Sequence, residues 1–221
     1  MRGIASHPHL SSNLYTSKNM IPSKWTHNLP FLTLALALSS LLISCTFLSE
    51  TLQYDRTAIA NGHFWLLLTG HLSHWSPDHL LWDLLVFVVL GIMAERYSRR
   101  GLILSLTISA VLISAILWVW QQDMDSYRGL SGLDSALFGF TAICMIRERI
   151  CNKDLKGAGI ILFAGVAFFL KIIYEFCTLQ TIFTSSATIF TPVPVAHLTG
   201  CLVGIGVAFF LIFHSADESH I

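Results

Sequence analysis

Charge is what this chain has least of. Its 221 residues include 13 Lys and Arg and 13 Asp and Glu, 12% in all, about half the share of an average soluble domain. The formal net charge is +0, so there is no basic excess of the kind that binds a phosphate backbone, and no nucleic-acid partner is expected. Paired cysteines are also lacking. Cys45, Cys144, Cys151, Cys177 and Cys201 are scattered, mostly inside apolar runs and without CxxC spacing, which suits small buried hydrophobes better than disulfides or metal ligands. No HExxH is present, and no cofactor is expected.

What is present is apolar sequence. Hydrophobic residues make up 54% of the chain, and they gather into runs of about 20 residues, the length that spans a bilayer as a helix. Six such runs are read at 31–49, 79–97, 102–121, 131–150, 158–177 and 193–213. The expected fold is therefore all-α: a polytopic, multi-pass membrane protein with a six-helix bundle over residues 29–214 and no separate soluble domain.

The remaining charges orient the bundle. With a cytoplasmic N-terminus, the inside segments carry Arg2, Lys18, Lys24, Arg96, Arg99, Arg100, Arg147, Arg149, Lys153 and Lys156, and the outside segments carry only Arg56 and Arg128. Cytoplasmic loops favour Lys and Arg, so both termini are expected inside. Residues 1–28, rich in Ser, Asn and His, read as a mobile cytoplasmic tail, and 215–221 as a short one. Leu42-Ile43-Ser44-Cys45 resembles a lipoprotein cleavage site. The six-span count explains the charge pattern without cleavage, so the first span is expected to be retained.

Polar groups inside a membrane are costly and tend to mark function. Three clusters stand out. "GHFWLLLTGHLSHWSPDHLLWDLLVF" places His71, His74, His79 and Asp83 near the outer end of span two. "GLSGLDSALFGF" places Ser131 between Gly129 and Gly132 at the outer end of span four. "PVPVAHLTGCLVGIG" places His197 at the outer end of span six. All three fall on one side at similar depth, so Ser131, His79 and His197 are expected to share one site.

Each residue has a plainer reading. Ser131 could be a helix cap, and a lone histidine could be a helix-to-helix hydrogen bond. His71, His74, His79 and Asp83 could be metal ligands, although their spacing is weak evidence and no metal is expected. The chemistry favours a nucleophile. A serine hydroxyl needs a base to take its proton, and histidine is the usual one. Gly129 and Gly132 clear side chains from around Ser131, so backbone N–H groups and a helix N-terminus can face developing negative charge. Gly200 and Gly204 form a small-xxx-small face that would let spans four and six approach closely.

Taken together, "HLSHWSPDHLLWD", Glu95-Arg96, "GLSGLDSALFGF" and "AHLTG", in that order over about residues 60–213, resemble the rhomboid intramembrane serine proteases. The resemblance implies a serine endopeptidase with a Ser–His dyad: Ser131 as nucleophile and His197 as general base. It implies that His79 and position 83 help bind the oxyanion with the backbone at Gly129 and Leu130, and that His74 supports the loop before span two. Glu95 and Arg96 would be structural. Rhomboids usually carry asparagine where this chain has Asp83, and a carboxylate beside an oxyanion would repel it. Either Asp83 stays protonated in apolar surroundings and donates a hydrogen bond, or it orients His79, four residues earlier, and leaves the oxyanion to other donors; the second is expected. Ser135 stands where many members have a larger residue packed on the base. Asp134 is a candidate accessory group that could orient His197.

The small size and the "KIIYE" of span five look most like the rhombosortase branch, which implies removal of a C-terminal glycine-rich sorting tail. Lys171 and Glu175 can pair at i, i+4 on one face, in either a structural or a substrate-facing role. The expected partners are membrane-anchored protein substrates and the lipid bilayer, and the expected location is a bacterial inner membrane. Phe64, Trp65 and Trp75 would anchor residues 50–78 at the interface. Rival readings are a catalytically inactive rhomboid-like client binder and a His-rich metal-binding membrane protein.

Overall fold

The computed structural model describes residues 29–180 and 193–217. The expected tail at 1–28 lies outside the described residues, as do residues 218–221 of the C-terminal one. The element order is α1 (Phe31–Ser44), α2 (Leu48–Thr51), β1 (Tyr54–Asp55), α3 (Arg56–Ala60), α4 (Leu66–Thr69), α5 (Pro77–Tyr97), α6 (Arg99–Trp120), β2 (Ser126–Tyr127), α7 (Ser131–Cys151), α8 (Leu155–Thr178) and α9 (Pro194–Asp217).

Four of these helices, α5, α6, α8 and α9, are long and apolar enough to cross a membrane. The chain is an integral membrane protein. The six expected spans thus become four apolar helices, one more polar helix of similar length, α7, and a shorter first helix. α1 has 14 residues, about 21 Å of helix against a hydrocarbon core of roughly 30 Å. α7 carries Asp134, Arg147, Glu148 and Arg149, and it tolerates that polarity by being enclosed: it packs against α5, α6, α8 and α9. Leu130, Leu133, Leu137, Phe140 and Cys144 join Phe87, Ala94, Leu102 and Val207 in the largest buried apolar cluster.

Helix starts follow from local sequence. In Ser76-Pro77-Asp78-His79, the Ser76 hydroxyl accepts the His79 N–H, Pro77 takes the first turn where no N–H is needed, and Asp78 faces the helix dipole. Ser98 ends α5 and caps α6, accepting the Gly101 N–H at 3.0 Å. One residue therefore turns the chain. Asp154 caps α8 by accepting the Gly157 N–H at 2.9 Å, and Arg149 holds the same carboxylate.

α1 is fastened at both ends. The Glu95 carboxylate accepts the backbone N–H groups of Leu32 and Thr33 and the Thr33 hydroxyl at 2.8–3.2 Å, and Arg99 pairs with it from the other side. This supplies a remote cap to a helix start that has only Pro30 in the capping position. The expected structural role of Glu95 is thus given its partners. At the other end, Ser40 and Ser44 donate to the Leu72 carbonyl.

Candidate functional site

The segment between α1 and α5 and the one between α6 and α7 are joined by a short antiparallel pair, with Tyr54 opposite Tyr127 and Asp55 opposite Ser126. Just beyond it, the Gly129 N–H donates to the Gly70 carbonyl at 3.3 Å. Gly129 has φ +132°, a backbone that side chains rarely adopt. A Cβ there would also stand 3.0–3.1 Å from the His79 ring and 3.4 Å from Asp83. The glycine lets the strand leading to Ser131 lie directly on the His79 and Asp83 side chains.

Those side chains form one buried group. Asp83 Oδ2 is 3.1 Å from His74 Nε2 and 3.3 Å from His79 Nε2, and the two rings meet edge to face with centroids 5.1 Å apart. His74 Nδ1 lies 3.0 Å from the Ser44 hydroxyl, and its Nε2 lies 3.4 Å from the Leu130 nitrogen. Burial pushes the His74 imidazole below its ordinary range, with Asp83 pulling the other way. His74 thus lies in contact with α1, α5 and the start of α7.

Ser131 opens α7. The capping position belongs to Leu130, with no side-chain cap, so the Ser131 hydroxyl is not spent on helix capping. Ser135 donates to the Ser131 carbonyl at 2.7 Å. The buried Tyr127 phenol donates to the Gly129 carbonyl at 3.3 Å, just ahead of Ser131, and burial, the largest effect, raises its pKa. Tyr127 is a residue the sequence reading missed.

α9 meets α7 backbone to backbone. A Cβ on Gly200 would stand 1.9 Å from the Gly132 carbonyl oxygen, and one on Gly204 the same distance from that of Ala136. Ala196 lies against Gly132. The small-residue face predicted between these spans is the actual contact. It sets His197, in the first turn of α9, beside the first turn of α7.

His197 is buried, and its Nδ1 is 2.7 Å from Glu175 Oε2. Glu175 Oε1 is 2.8 Å from Lys171 Nζ, which also lies 3.3 Å from His197 Nδ1. The carboxylate bound to the histidine therefore comes from α8. Asp134 is buried one turn past Ser131, its Oδ1 has no hydrogen-bond partner among the described residues, and it lies in electrostatic reach of Asp83 and Lys171. The i, i+4 spacing of Lys171 and Glu175 announced their pairing; their reach to His197 depends on the approach of α8 to α9.

His71 stands apart from the other histidines. Its Nε2 faces the Ala110 carbonyl and the Ser114 hydroxyl, both at 3.2 Å, on α6. Among the described residues, no three His, Cys, Asp or Glu side chains gather as a ligand set. Phe64 and Trp65 are largely exposed, whereas Trp75 is half-buried with the Arg128 guanidinium 4.4 Å above its ring.

No individual curated protein matches the chain at significant similarity. The family model for the rhomboid domain matches residues 61–214, a stretch that begins just past α3, ends within α9 and holds His74, His79, Asp83, Ser131, Glu175 and His197. The chain belongs to the rhomboid family.

Proposed function

We propose that this protein is an intramembrane serine endopeptidase in which Ser131 is the nucleophile and His197 the general base. The observation that carries this reading is the contact of Gly200 and Ala196 with Gly132, which sets the first turns of α7 and α9 side by side. In the reaction, Ser131 Oγ attacks the scissile carbonyl while its proton passes to His197 Nε2. The uncapped N–H groups at the start of α7 receive the oxyanion, with His79 beside them. His197 then protonates the leaving amine and activates the water that releases the acyl group. Asp83, bonded to both His74 and His79, orients them and leaves the oxyanion to N–H donors. Asp134 is an accessory polar group at the same helix end.

The substrates are membrane-anchored proteins cut near the outer face, where water reaches Ser131. The "KIIYE" resemblance to rhombosortases extends this to clients whose C-terminal tail is glycine-rich, then hydrophobic, then basic, in a bacterial inner membrane. The test uses the full chain in micelles or proteoliposomes with a fluorophosphonate probe and a reporter bearing such a tail. Labelling and cleavage that vanish in Ser131→Ala and His197→Ala are expected. Unchanged cleavage in either variant would remove the assignment, and a folded wild-type chain that neither labels nor cleaves would favour a client-binding role.

A further inference from the structure

α8 is the least covered of the long helices. Of its 24 residues, the buried ones are Ile172 and Glu175. An apolar helix face turned outward has no need of an acid, yet the carboxylate it buries is 2% exposed and directed at the histidine of the site. Burying a carboxylate carries a heavy desolvation penalty, so its position calls for partners, and both are present. Oε1 takes Lys171 at 2.8 Å and Oε2 takes His197 Nδ1 at 2.7 Å.

We propose that Glu175 is a positioning residue for the protease reaction, forming a Ser131–His197–Glu175 relay with Lys171 as its anchor. The inference rests on the Ser–His reading above. A carboxylate accepts hydrogen bonds, so the 2.7 Å contact fixes the proton on Nδ1 and leaves the Nε2 lone pair for the Ser131 hydroxyl. Lys171 Nζ is a donor only, so its 3.3 Å approach to the same Nδ1 is no hydrogen bond; its partner is Glu175. When the imidazole takes the serine proton, the Glu175 charge compensates the new cation without a change in geometry.

The arrangement also answers the small residue at position 135. Ser135 turns its hydroxyl back to the Ser131 carbonyl, and the base is held by Glu175 of α8. The charged groups acting on the imidazole are Lys171 and Glu175 on α8 and Asp83 on α5, while Asp134 on α7 lies in electrostatic reach of Lys171 and Asp83. Of these carboxylates, the one with an oxygen bonded to Nδ1 is Glu175.

The experiment follows turnover and KM for the tailed reporter in the full chain, with thermal midpoints alongside. In Glu175→Gln the side-chain amide can present a donor to Nδ1 and so favour the wrong tautomer. Turnover is expected to fall by 100-fold or more, with KM within about threefold and an unchanged thermal midpoint. The paired variant Lys171→Met/Glu175→Gln removes the buried ion pair as a unit and serves if the single variant does not fold; it should lose turnover equally. Wild-type turnover in either variant, while Ser131→Ala and His197→Ala are dead, overturns the relay and leaves the dyad intact. Full cleavage by Ser131→Ala overturns both.

Discussion

A Cβ placed on Gly200 would stand 1.9 Å from the carbonyl oxygen of Gly132. The two helices that carry the proposed nucleophile and base touch through main chain, leaving no room for even one methyl group. Gly200→Val should therefore separate them. Cleavage should fall at least 100-fold, with a lower thermal midpoint. Gly206, six residues on along α9, has nothing within 4 Å of where its Cβ would be. Gly206→Ala should keep activity and gain roughly 0.5–1 kcal/mol from reduced backbone freedom. Equal loss in both variants would show that the contact does not control the site.

Asp83 holds two histidines, and asparagine at this position preserves its size and one acceptor oxygen. Asp83→Asn should retain cleavage to within about tenfold, while Asp83→Leu, which leaves His74 and His79 without their shared acceptor, should lose considerably more. Loss in Asp83→Asn as deep as in Ser131→Ala would mean that the charge itself is used in catalysis.

Glu95 serves α1 from across the bundle. Glu95→Ala strips acceptors from two backbone N–H groups and a hydroxyl, and should destabilise the protein by about 2–4 kcal/mol. Thermal unfolding in micelles would detect it. Because Glu95 lies far along α5 from His79, the folded fraction should keep its rate of fluorophosphonate labelling; a slowed rate in folded protein would tie this cap to the site.

His71 gives the stability a pH dependence. Burial, the largest effect, lowers its pKa from 6.5 to about 4, with the hydrogen bond to the Ala110 carbonyl opposing it. The folded state thus binds this proton less readily than the unfolded one. The contribution is fully present above about pH 6.5 and is lost as pH falls toward 4, up to roughly 3 kcal/mol over that window. Thermal midpoints measured from pH 7 to 4.5 should drop for the wild type and drop less for His71→Asn. Parallel curves would place the sensitivity elsewhere.

Much of the site could be read from the order of residues. Ser131 between glycines at a helix start, His197 ahead of Gly200 and Gly204, and His79 with Asp83 at i, i+4 each follow from spacing along one element. Tyr127 could not be found in this way, because its relation to Ser131 depends on how β2 pairs with β1. Nor could the division of the histidines, since His71 turns to α6 and His74 to Asp83 only once the segment before α5 has folded against both.

Composition and periodicity alone determined that this chain enters a membrane as helices, because lipid accepts only backbone that satisfies itself. The helix starts are set by local caps at Ser76, Ser98 and Asp154, which act over three residues, and the apolar runs at 79, 102 and 158 begin two or three residues after those starts. Tertiary packing decided which carboxylate meets His197. Asp134 and Glu175 are both acids near the same end of the bundle, and only the seating of α8 against α9 brings Glu175 to Nδ1. Contacts between helices depend on crossing geometry and rotation, and those are set jointly by every packed face, not by any one stretch of sequence.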